Sequence, residues 1–253
     1  MVRTFLALML AMGLLNITPA SAGAANSGAQ PIIAFGDSIT WGANAGVNSV
    51  LDYQDTALLW EHQPGSTDTS YPAFLGRRLH RTVYDYGYPG MTTQSDRSRL
   101  ADVLNTQHPA TVLLMEGAND LLGGRSVDDT IANLRQEVDL ILSSGARCVL
   151  LTGTPLLYPS DDSRAWLGPM MTDYNVAMRQ LAVQESVPLV DVERVFLHYD
   201  WAAKLTQATN GANDYIHPND AGNAVIAYAI ATSGVMGQSR ISADRTRWPQ
   251  GRS

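Results

Sequence analysis

The chain of 253 residues has 24 acidic and 17 basic side chains, and its net charge of −7 argues against a nucleic acid as partner. Cys148 is its only cysteine, which excludes an intramolecular disulfide, so stability must come from the hydrophobic core. In its strand-like surroundings Cys148 is expected to be a small buried hydrophobe.

Residues 1–22 have the pattern of a signal peptide. They carry a positive charge near the start, an apolar segment too short to span a bilayer as a helix, and the small-residue cleavage site Ala20-Ser21-Ala22. A buried N-terminal helix is the alternative, but it would be amphipathic rather than apolar all round. We therefore predict export, either periplasmic or secreted, with a mature chain starting near Gly23. Residues 23–253 are expected to form a single domain with a loose tail from about residue 233.

The segment Pro31-Ile32-Ile33-Ala34-Phe35 predicts a short buried strand that leads into Gly36-Asp37-Ser38-Ile39-Thr40. Gly36 permits a sharp turn at the carboxyl end of this strand, where ligands bind in open α/β sheets. Ser38 is therefore expected at the mouth of a cleft, where its hydroxyl is a candidate nucleophile. The alternative is that Ser38 only caps the following helix.

A long polar stretch over residues 41–69 follows, which predicts a functional loop because Trp41, Tyr53 and Trp60 lie within it. No later segment is apolar enough for a membrane span. Further strands are predicted over residues 83–86, 111–115, 148–152 and 187–191. Helices are predicted over residues 71–81, 126–142, 170–186 and 195–205, from Thr92 or Thr93 to 105, and from Asn219 or Asp220 to 231.

Five strands that alternate with helices predict a parallel sheet covered on both faces. Right-handed crossovers then favour a flavodoxin-like three-layer α/β/α sandwich with a five-stranded parallel sheet. No internal repeat and no domain linker interrupt this pattern. The expected fold class is therefore α/β, in one domain.

Polar residues follow the predicted strands in a pattern that suits nucleophilic catalysis. Ser38, Gly90 and Asn119 each come after a separate strand, and Asp214 and His217 precede the last helix. A serine needs a base, and the base needs an orienting group, which Asp214 can supply because it lies three residues before His217. The backbone N–H groups of Ser38 and Gly90 and the amide of Asn119 are candidate donors to an oxyanion.

These residues resemble the four blocks of the GDSL (SGNH) hydrolase family, in the family's order and over nearly all of the mature chain. The matching segments are Gly36-Asp37-Ser38, Gly90, Gly117-x-Asn119-Asp120 and Asp214-x-x-His217-Pro218. The resemblance implies the SGNH hydrolase fold and hydrolysis of carboxylic esters or thioesters without a metal. It also implies that Ser38 is the nucleophile, His217 the base and Asp214 its orienter, with an oxyanion hole of Ser38, Gly90 and Asn119.

The sequence departs from the family pattern at two positions. Asp85 stands where the second block often begins with Asn, which puts in doubt how that loop is held. Tyr215 stands where the residue after Asp214 is often Gly, and it is a candidate to narrow the cleft. Gly-x-Ser-x-Gly is absent from the sequence, which argues against an ordinary α/β-hydrolase with a nucleophile elbow.

The resulting prediction is an exported serine esterase that cleaves carboxylic esters through an acyl-enzyme. Short acyl groups, above all acetyl, on a carbohydrate are the first choice of substrate, because the 41–69 loop is polar with spaced aromatics and has no long apolar run. A lysophospholipase or acyl thioesterase is the alternative within the class, and an acyltransferase would use the same residues. A binding module without catalysis is disfavoured while Ser38, Asp214 and His217 are all present. We expect a monomer without cofactor.

Several other residues have a structural and a functional interpretation. Asp37 and Asp120 flank the catalytic positions and are expected to hold loops by hydrogen bonds. A metal site is not expected, because the remaining histidines are scattered rather than paired at ligand spacing. Aromatic residues are candidates for a sugar-binding cleft, although each one is more often a core or loop anchor. The histidines are His62, His80, His108 and His198, and the aromatics are Trp41, Trp60, Tyr88, Trp166 and Trp201.

Overall fold

A computed structural model describes residues 31–43, 68–198, 205–206 and 215–237 of the chain. The predicted signal peptide, most of the 41–69 loop, Asp214 and residues 238–253 of the predicted tail lie outside the described residues. So do His62, Trp60 and Trp201, and the predictions made for them stay predictions.

Five parallel strands form one sheet in the order β2-β1-β3-β4-β5, which is the flavodoxin-like order. Apolar side chains occupy four of the five positions in each of β1, β3 and β4, because helices cover both faces of the sheet. The predicted α/β fold with a five-stranded parallel sheet is confirmed. The strands are β1 (Ile32–Gly36), β2 (Val83–Gly87), β3 (Thr111–Met115), β4 (Arg147–Leu151) and β5 (Leu189–Val190).

The helices form two groups that supply the outer layers of the sandwich, and the helices within each group pack against one another. One group consists of α2, α7 and α8, and the other of α3, α4, α5 and α6. None of the helices in the described part of the chain is both long and apolar enough to cross a membrane. The helices are α1 (Ser38–Trp41), α2 (Tyr71–Leu79), α3 (Arg97–Gln107), α4 (Ala118–Leu122), α5 (Val127–Ser143), α6 (Leu167–Gln184), α7 (Val192–Leu197) and α8 (Asp220–Thr232).

The register of the sheet aligns the carboxyl ends of β1, β2 and β3. Gly36, the last residue of β1, pairs with Gly87 at the end of β2 and with Met115 at the end of β3. The three loops that follow these strands therefore begin at the same edge of the sheet. This alignment brings together segments that are distant in sequence.

Gly36 has a different role from the one predicted for it. A Cβ atom at Gly36 would lie 2.1 Å from the carbonyl oxygen of Met115 and 2.4 Å from Oγ1 of Thr40. The glycine is needed because β3 and α1 approach its backbone too closely for any side chain. Its value is thus close packing, rather than the conformational freedom of a turn.

Several elements begin or end away from their predicted positions, and three of these differences have an identifiable physical cause. Helix α3 begins at Arg97 rather than at Thr92 or Thr93, because Thr93 binds the side chain of Asp120 in α4. Strand β5 has only two residues and lies at the sheet edge, where Pro188 has no N–H to donate. Helix α7 begins at Val192, earlier than predicted, because the Asp191 side chain accepts a hydrogen bond from the N–H of Arg194 and caps it.

Candidate active site

Ser38 is separated from β1 by one residue, Asp37. It is the first residue of α1 and is 6% exposed. The side chain of Asp37 caps this helix by accepting a hydrogen bond of 2.8 Å from the N–H of Ile39. The alternative interpretation of Ser38 as the helix cap is therefore wrong. Because Asp37 provides the cap, the hydroxyl of Ser38 is available for other contacts.

Ser38 and His217 are in hydrogen-bond contact, with 2.8 Å between Oγ and Nε2. His217 reaches Ser38 from the turn before α8, where Asn219 caps the helix by accepting from the N–H of Gly222 at 3.0 Å. When Nδ1 carries the ring proton, Nε2 can accept the proton of the Ser38 hydroxyl. The residue expected to orient His217, Asp214, lies outside the described residues, so its role stays a prediction.

Gly90 lies in the loop after β2, and Asn119 lies in the first turn of α4, which follows β3. Gly90 has a left-handed backbone with φ of 80°, which glycine adopts without strain, and it is exposed. The side-chain amide of Asn119 donates to the carbonyl oxygen of Met91 at 2.8 Å, so it lies beside the residue that follows Gly90. An amide has two N–H donors, and the second one remains for another acceptor.

Asp120 holds the loop after β2 in place, as predicted. Its carboxylate accepts from the N–H and from the hydroxyl of Thr93, both at 2.8 Å, and forms an ion pair with Arg125 at 2.9 Å. Asp120 and Thr93 are both buried. Together with the bond from Asn119 to Met91, these contacts tie the loop of Gly90 to α4 at adjacent residues.

Asp85, which departs from the family pattern, binds the last residue of its own strand, β2. It is buried, and its carboxylate accepts from the N–H of Gly87 at 2.8 Å. Burial raises the pKa of this carboxyl well above its usual range, and the Gly87 N–H opposes that rise. The end of β2 is therefore held by an aspartate where the family pattern often has an asparagine.

Buried carboxyls surround the strand ends, and sequence analysis misses most of them. Burial raises the pKa of Asp37 to about 6, although the Ile39 N–H and nearby His217 act in the opposite direction. Burial also raises the pKa of Glu116 and of Glu137 well above the usual range, and neighbouring carboxylates add to both rises. The ion pair of Asp96 and Arg99 lies among them. Its three-residue spacing on one helical face is the only sequence signal for this cluster.

The other candidate residues fall into different environments. Trp41 is buried and is an anchor of the core rather than part of an open cleft, whereas Trp166 is 52% exposed. Tyr88 is half-buried, and the guanidinium of Arg99 lies 5.8 Å from the centre of its ring. Cys148 is buried as predicted, and burial raises the pKa of its thiol to about 12.

Three of the four histidines that were not predicted to be catalytic lie in the described residues, and each of these three follows the end of a helix. His80 and His108 follow α2 and α3 in the left-handed conformation, and His198 follows α7. Among the residues that the structure describes, no three His, Cys, Asp or Glu side chains are grouped as ligands for a metal ion.

Tyr215, two residues before His217, forms an aromatic pair with Tyr158. The rings of Tyr215 and Tyr158 lie with their centres 5.4 Å apart at an angle of 51°, and the guanidinium of Arg164 lies 4.6 Å from the centre of the Tyr158 ring. Tyr215 has a φ of 61°, which is uncommon for a residue with a side chain. The pair thus joins the turn of His217 to the loop that follows β4.

Comparisons with known proteins agree with this architecture. The sequence model of the GDSL-like lipase/acylhydrolase family matches residues 34–225. Among solved structures, the chain is similar to a member of the lipolytic protein G-D-S-L family from Veillonella parvula DSM 2008, with a TM-score of 0.60 and 20% identity. That match covers 79% of this chain and 96% of the other. No curated protein matches the chain in sequence.

Two further solved structures are similar at comparable levels. LAE5, an α/β hydrolase enzyme from the metagenome of Lake Arreo, Spain, has a TM-score of 0.63 and 23% identity, with 83% of this chain and 97% of that chain covered. Axe2, an acetylxylan esterase from Geobacillus stearothermophilus, has a TM-score of 0.62 and 22% identity, with 83% and 95% covered. At these identities the likeness shows the shared fold.

Proposed function

Because this chain belongs to the GDSL-like lipase/acylhydrolase family, we propose that it hydrolyses carboxylic esters through an acyl-enzyme formed on Ser38. One observation carries the proposal: Oγ of Ser38 lies 2.8 Å from Nε2 of His217, within reach for proton transfer. The pair lies at the carboxyl edge of a parallel sheet, where open α/β proteins bind their ligands.

The reaction begins when Oγ of Ser38 attacks the ester carbonyl and Nε2 of His217 takes the hydroxyl proton. Negative charge then develops on the carbonyl oxygen, and we assign its stabilisation to the N–H groups of Ser38 and Gly90 and the amide of Asn119. The tetrahedral intermediate collapses, the bond to the alcohol oxygen breaks, and His217 gives its proton to the leaving alcohol. An acyl group remains on Ser38.

Water releases the acyl group in a second round of the same steps. His217 removes a proton from water, whose oxygen attacks the acyl carbonyl, and the bond from that carbon to Oγ of Ser38 breaks. Oγ regains its proton from His217, and the free acid leaves. In this scheme Asp214 would orient the imidazole and stabilise its charged form.

For the substrate we propose acetyl or other short acyl esters on a carbohydrate. The polar, aromatic composition of residues 41–69 supports this class. So does the aromatic pair of Tyr158 and Tyr215 two residues from His217, because sugar rings stack on aromatic faces. The structural likeness to an acetylxylan esterase is a further, weaker support.

The test compares kcat/KM for p-nitrophenyl esters from acetyl to palmitoyl with the release of acetate from acetylated xylooligosaccharides. Ser38→Ala protein, assayed beside the wild type, corrects for spontaneous hydrolysis. The proposal predicts that kcat/KM falls as the acyl chain lengthens and that acetylated sugars are deacetylated. A rise with chain length would favour lipid esters instead, since each buried CH₂ adds roughly 0.8 kcal/mol.

The group that accepts the acyl group from Ser38 distinguishes hydrolysis from transfer. An added alcohol that captures most of the acyl groups at the expense of free acid would indicate an acyltransferase.

We also propose that the enzyme acts outside the cytoplasm. N-terminal sequencing of the protein recovered from its producing cell is expected to begin near Gly23, and a mature protein that retains Met1 would contradict export.

A further inference from the structure

Arg99 connects the ends of two neighbouring strands. From its place in the first turn of α3, its Nη1 donates to the carbonyl oxygen of Tyr86 at 2.7 Å, and its Nη2 donates to that of Gly36 at 3.3 Å. The guanidinium also lies over the ring of Phe35, 4.1 Å from its centre. One planar group thus binds β1 and β2 at their carboxyl ends.

Asp96 holds the guanidinium in this position. Its two carboxylate oxygens accept from Nε and Nη2 of Arg99, and its side chain is fully buried, whereas that of Arg99 is 10% exposed. A two-pronged contact of this kind fixes orientation as well as distance. The Arg99 side chain therefore has little freedom to follow a displaced strand.

Glu116 lies behind this ion pair, at the end of β3. It is buried, and its pKa is raised well above the usual range by burial, then by the carboxylates of Glu137, Asp37 and Asp96. The carboxyl of Glu116, which follows β3, thus lies close to that of Asp96.

The two carbonyls that Arg99 binds precede catalytic segments. Gly36 is two residues before Ser38, and Tyr86 is four residues before Gly90. We propose that Arg99 is a positioning residue, which sets the separation between the loop of Ser38 and the loop of Gly90 and thereby the geometry of the oxyanion hole. This inference rests on the function proposed above.

A small change in that separation should affect the rate far more than the binding of substrate. Oxyanion donors stabilise the transition state only when their N–H groups already point to the oxygen on which the charge develops. A misplacement of about 1 Å can lower the rate roughly 10²-fold. A residue that only stabilised the fold would instead reduce the number of active molecules and leave each of them at full rate.

The test uses Arg99→Met, Arg99→Lys and, as matched control, Arg97→Met. Arg97 lies on the same helix, but its guanidinium donates to side chains of α5, Gln136 and Asn133, rather than to strand ends. Lysine retains the charge opposite Asp96, but its single nitrogen cannot reproduce the planar fork that binds both carbonyls.

Active sites are counted by stoichiometric labelling of Ser38 with a fluorophosphonate, and kcat and KM for p-nitrophenyl acetate are expressed per labelled site. We expect Arg99→Met to lower kcat on the order of 10²-fold with KM nearly unchanged, Arg99→Lys to fall between it and wild type, and Arg97→Met to match wild type.

A wild-type kcat per labelled site in Arg99→Met would overturn the role of Arg99. If that variant does not fold, Arg99→Lys is judged by the same criterion. An equal loss in Arg97→Met would also overturn it, since any change on α3 would then suffice. A wild-type protein whose Ser38 is not labelled would instead contradict the proposed function itself.

Discussion

Nε2 of His217 and Oγ of Ser38 lie 2.8 Å apart although 179 residues separate them in the sequence. Ser38 opens the first helix after the first strand, and His217 precedes the last helix. The sheet register and the packing of α8 on α2 bring the two ends of the domain together. The contact is the basis of the first prediction.

Replacing Ser38 by alanine should abolish turnover and leave the fold intact. Loss of the nucleophile from such a pair costs on the order of 10⁶-fold in kcat, because no other group can form the acyl-enzyme. Turnover of p-nitrophenyl acetate by the purified variant measures the effect. Ser143→Ala, an exposed serine at the end of α5, serves as control and should retain wild-type activity. A Ser38→Ala enzyme with a tenth of wild-type turnover would rule out the serine mechanism.

Asn119→Ala should lower kcat by roughly 10²–10³ and change KM little, because the oxyanion exists only near the transition state. Its amide also holds the carbonyl of Met91, so part of the loss could come from a loosened loop. Thr93→Val is the matched control, since it removes the hydroxyl bond to Asp120 in the same loop and keeps the amide of Asn119. Its kcat should fall much less. A raised KM with unchanged kcat in Asn119→Ala would indicate a contact to the ground-state substrate instead.

Asp37→Asn should remove a pH dependence from the stability of the protein. Burial raises the pKa of Asp37 to about 6 from an ordinary value of 3.8, so between these pH values the unfolded chain releases a proton that the folded chain keeps. The wild type therefore loses stability as pH rises through this range, by roughly 3 kcal/mol at most, and the cost persists above pH 6. Asparagine can still accept from the N–H of Ile39 and avoids the buried charge.

Urea unfolding of wild type and Asp37→Asn from pH 4 to pH 8 measures this effect. As pH rises from 4 to 6, the free energy of unfolding of the variant should increase relative to that of the wild type. Asp139→Asn, an exposed carboxylate on α5, should show no such gain. A difference between Asp37→Asn and wild type that does not change with pH would contradict the raised pKa.

The single thiol, Cys148, should react with DTNB only when the protein unfolds. It is 1% exposed on β4, and burial raises its pKa to about 12, so neither access nor thiolate is available in the native state. The reaction of Cys148 with DTNB is measured in native buffer and in denaturant. Its rate in native buffer reports how often the sheet opens. Full labelling of native protein at pH 8 within minutes would place Cys148 at the surface.

The sequence alone predicted the parallel sheet, its order of elements and the edge at which Ser38 lies. These features depend on local signals, namely runs of buried aliphatic residues, turn residues after each run and helix caps such as Ser126 and Asn219. The role of Asp120 in holding a loop was also predictable, because a carboxylate beside a turn commonly accepts hydrogen bonds from backbone N–H groups. Such signals involve residues within a few positions of one another.

The tertiary structure alone decided which distant groups meet. Thr93 is not part of α3, because the carboxylate of Asp120, 27 residues away, accepts hydrogen bonds from both its hydroxyl and its N–H. Arg99 reaches the carbonyl of Gly36, 63 residues away, because the register of β1 and β2 brings both strand ends under the first turn of α3. Periodicity in a sequence specifies which face of an element is buried. The partner of a buried polar group depends on how elements stack in space, which no local pattern encodes.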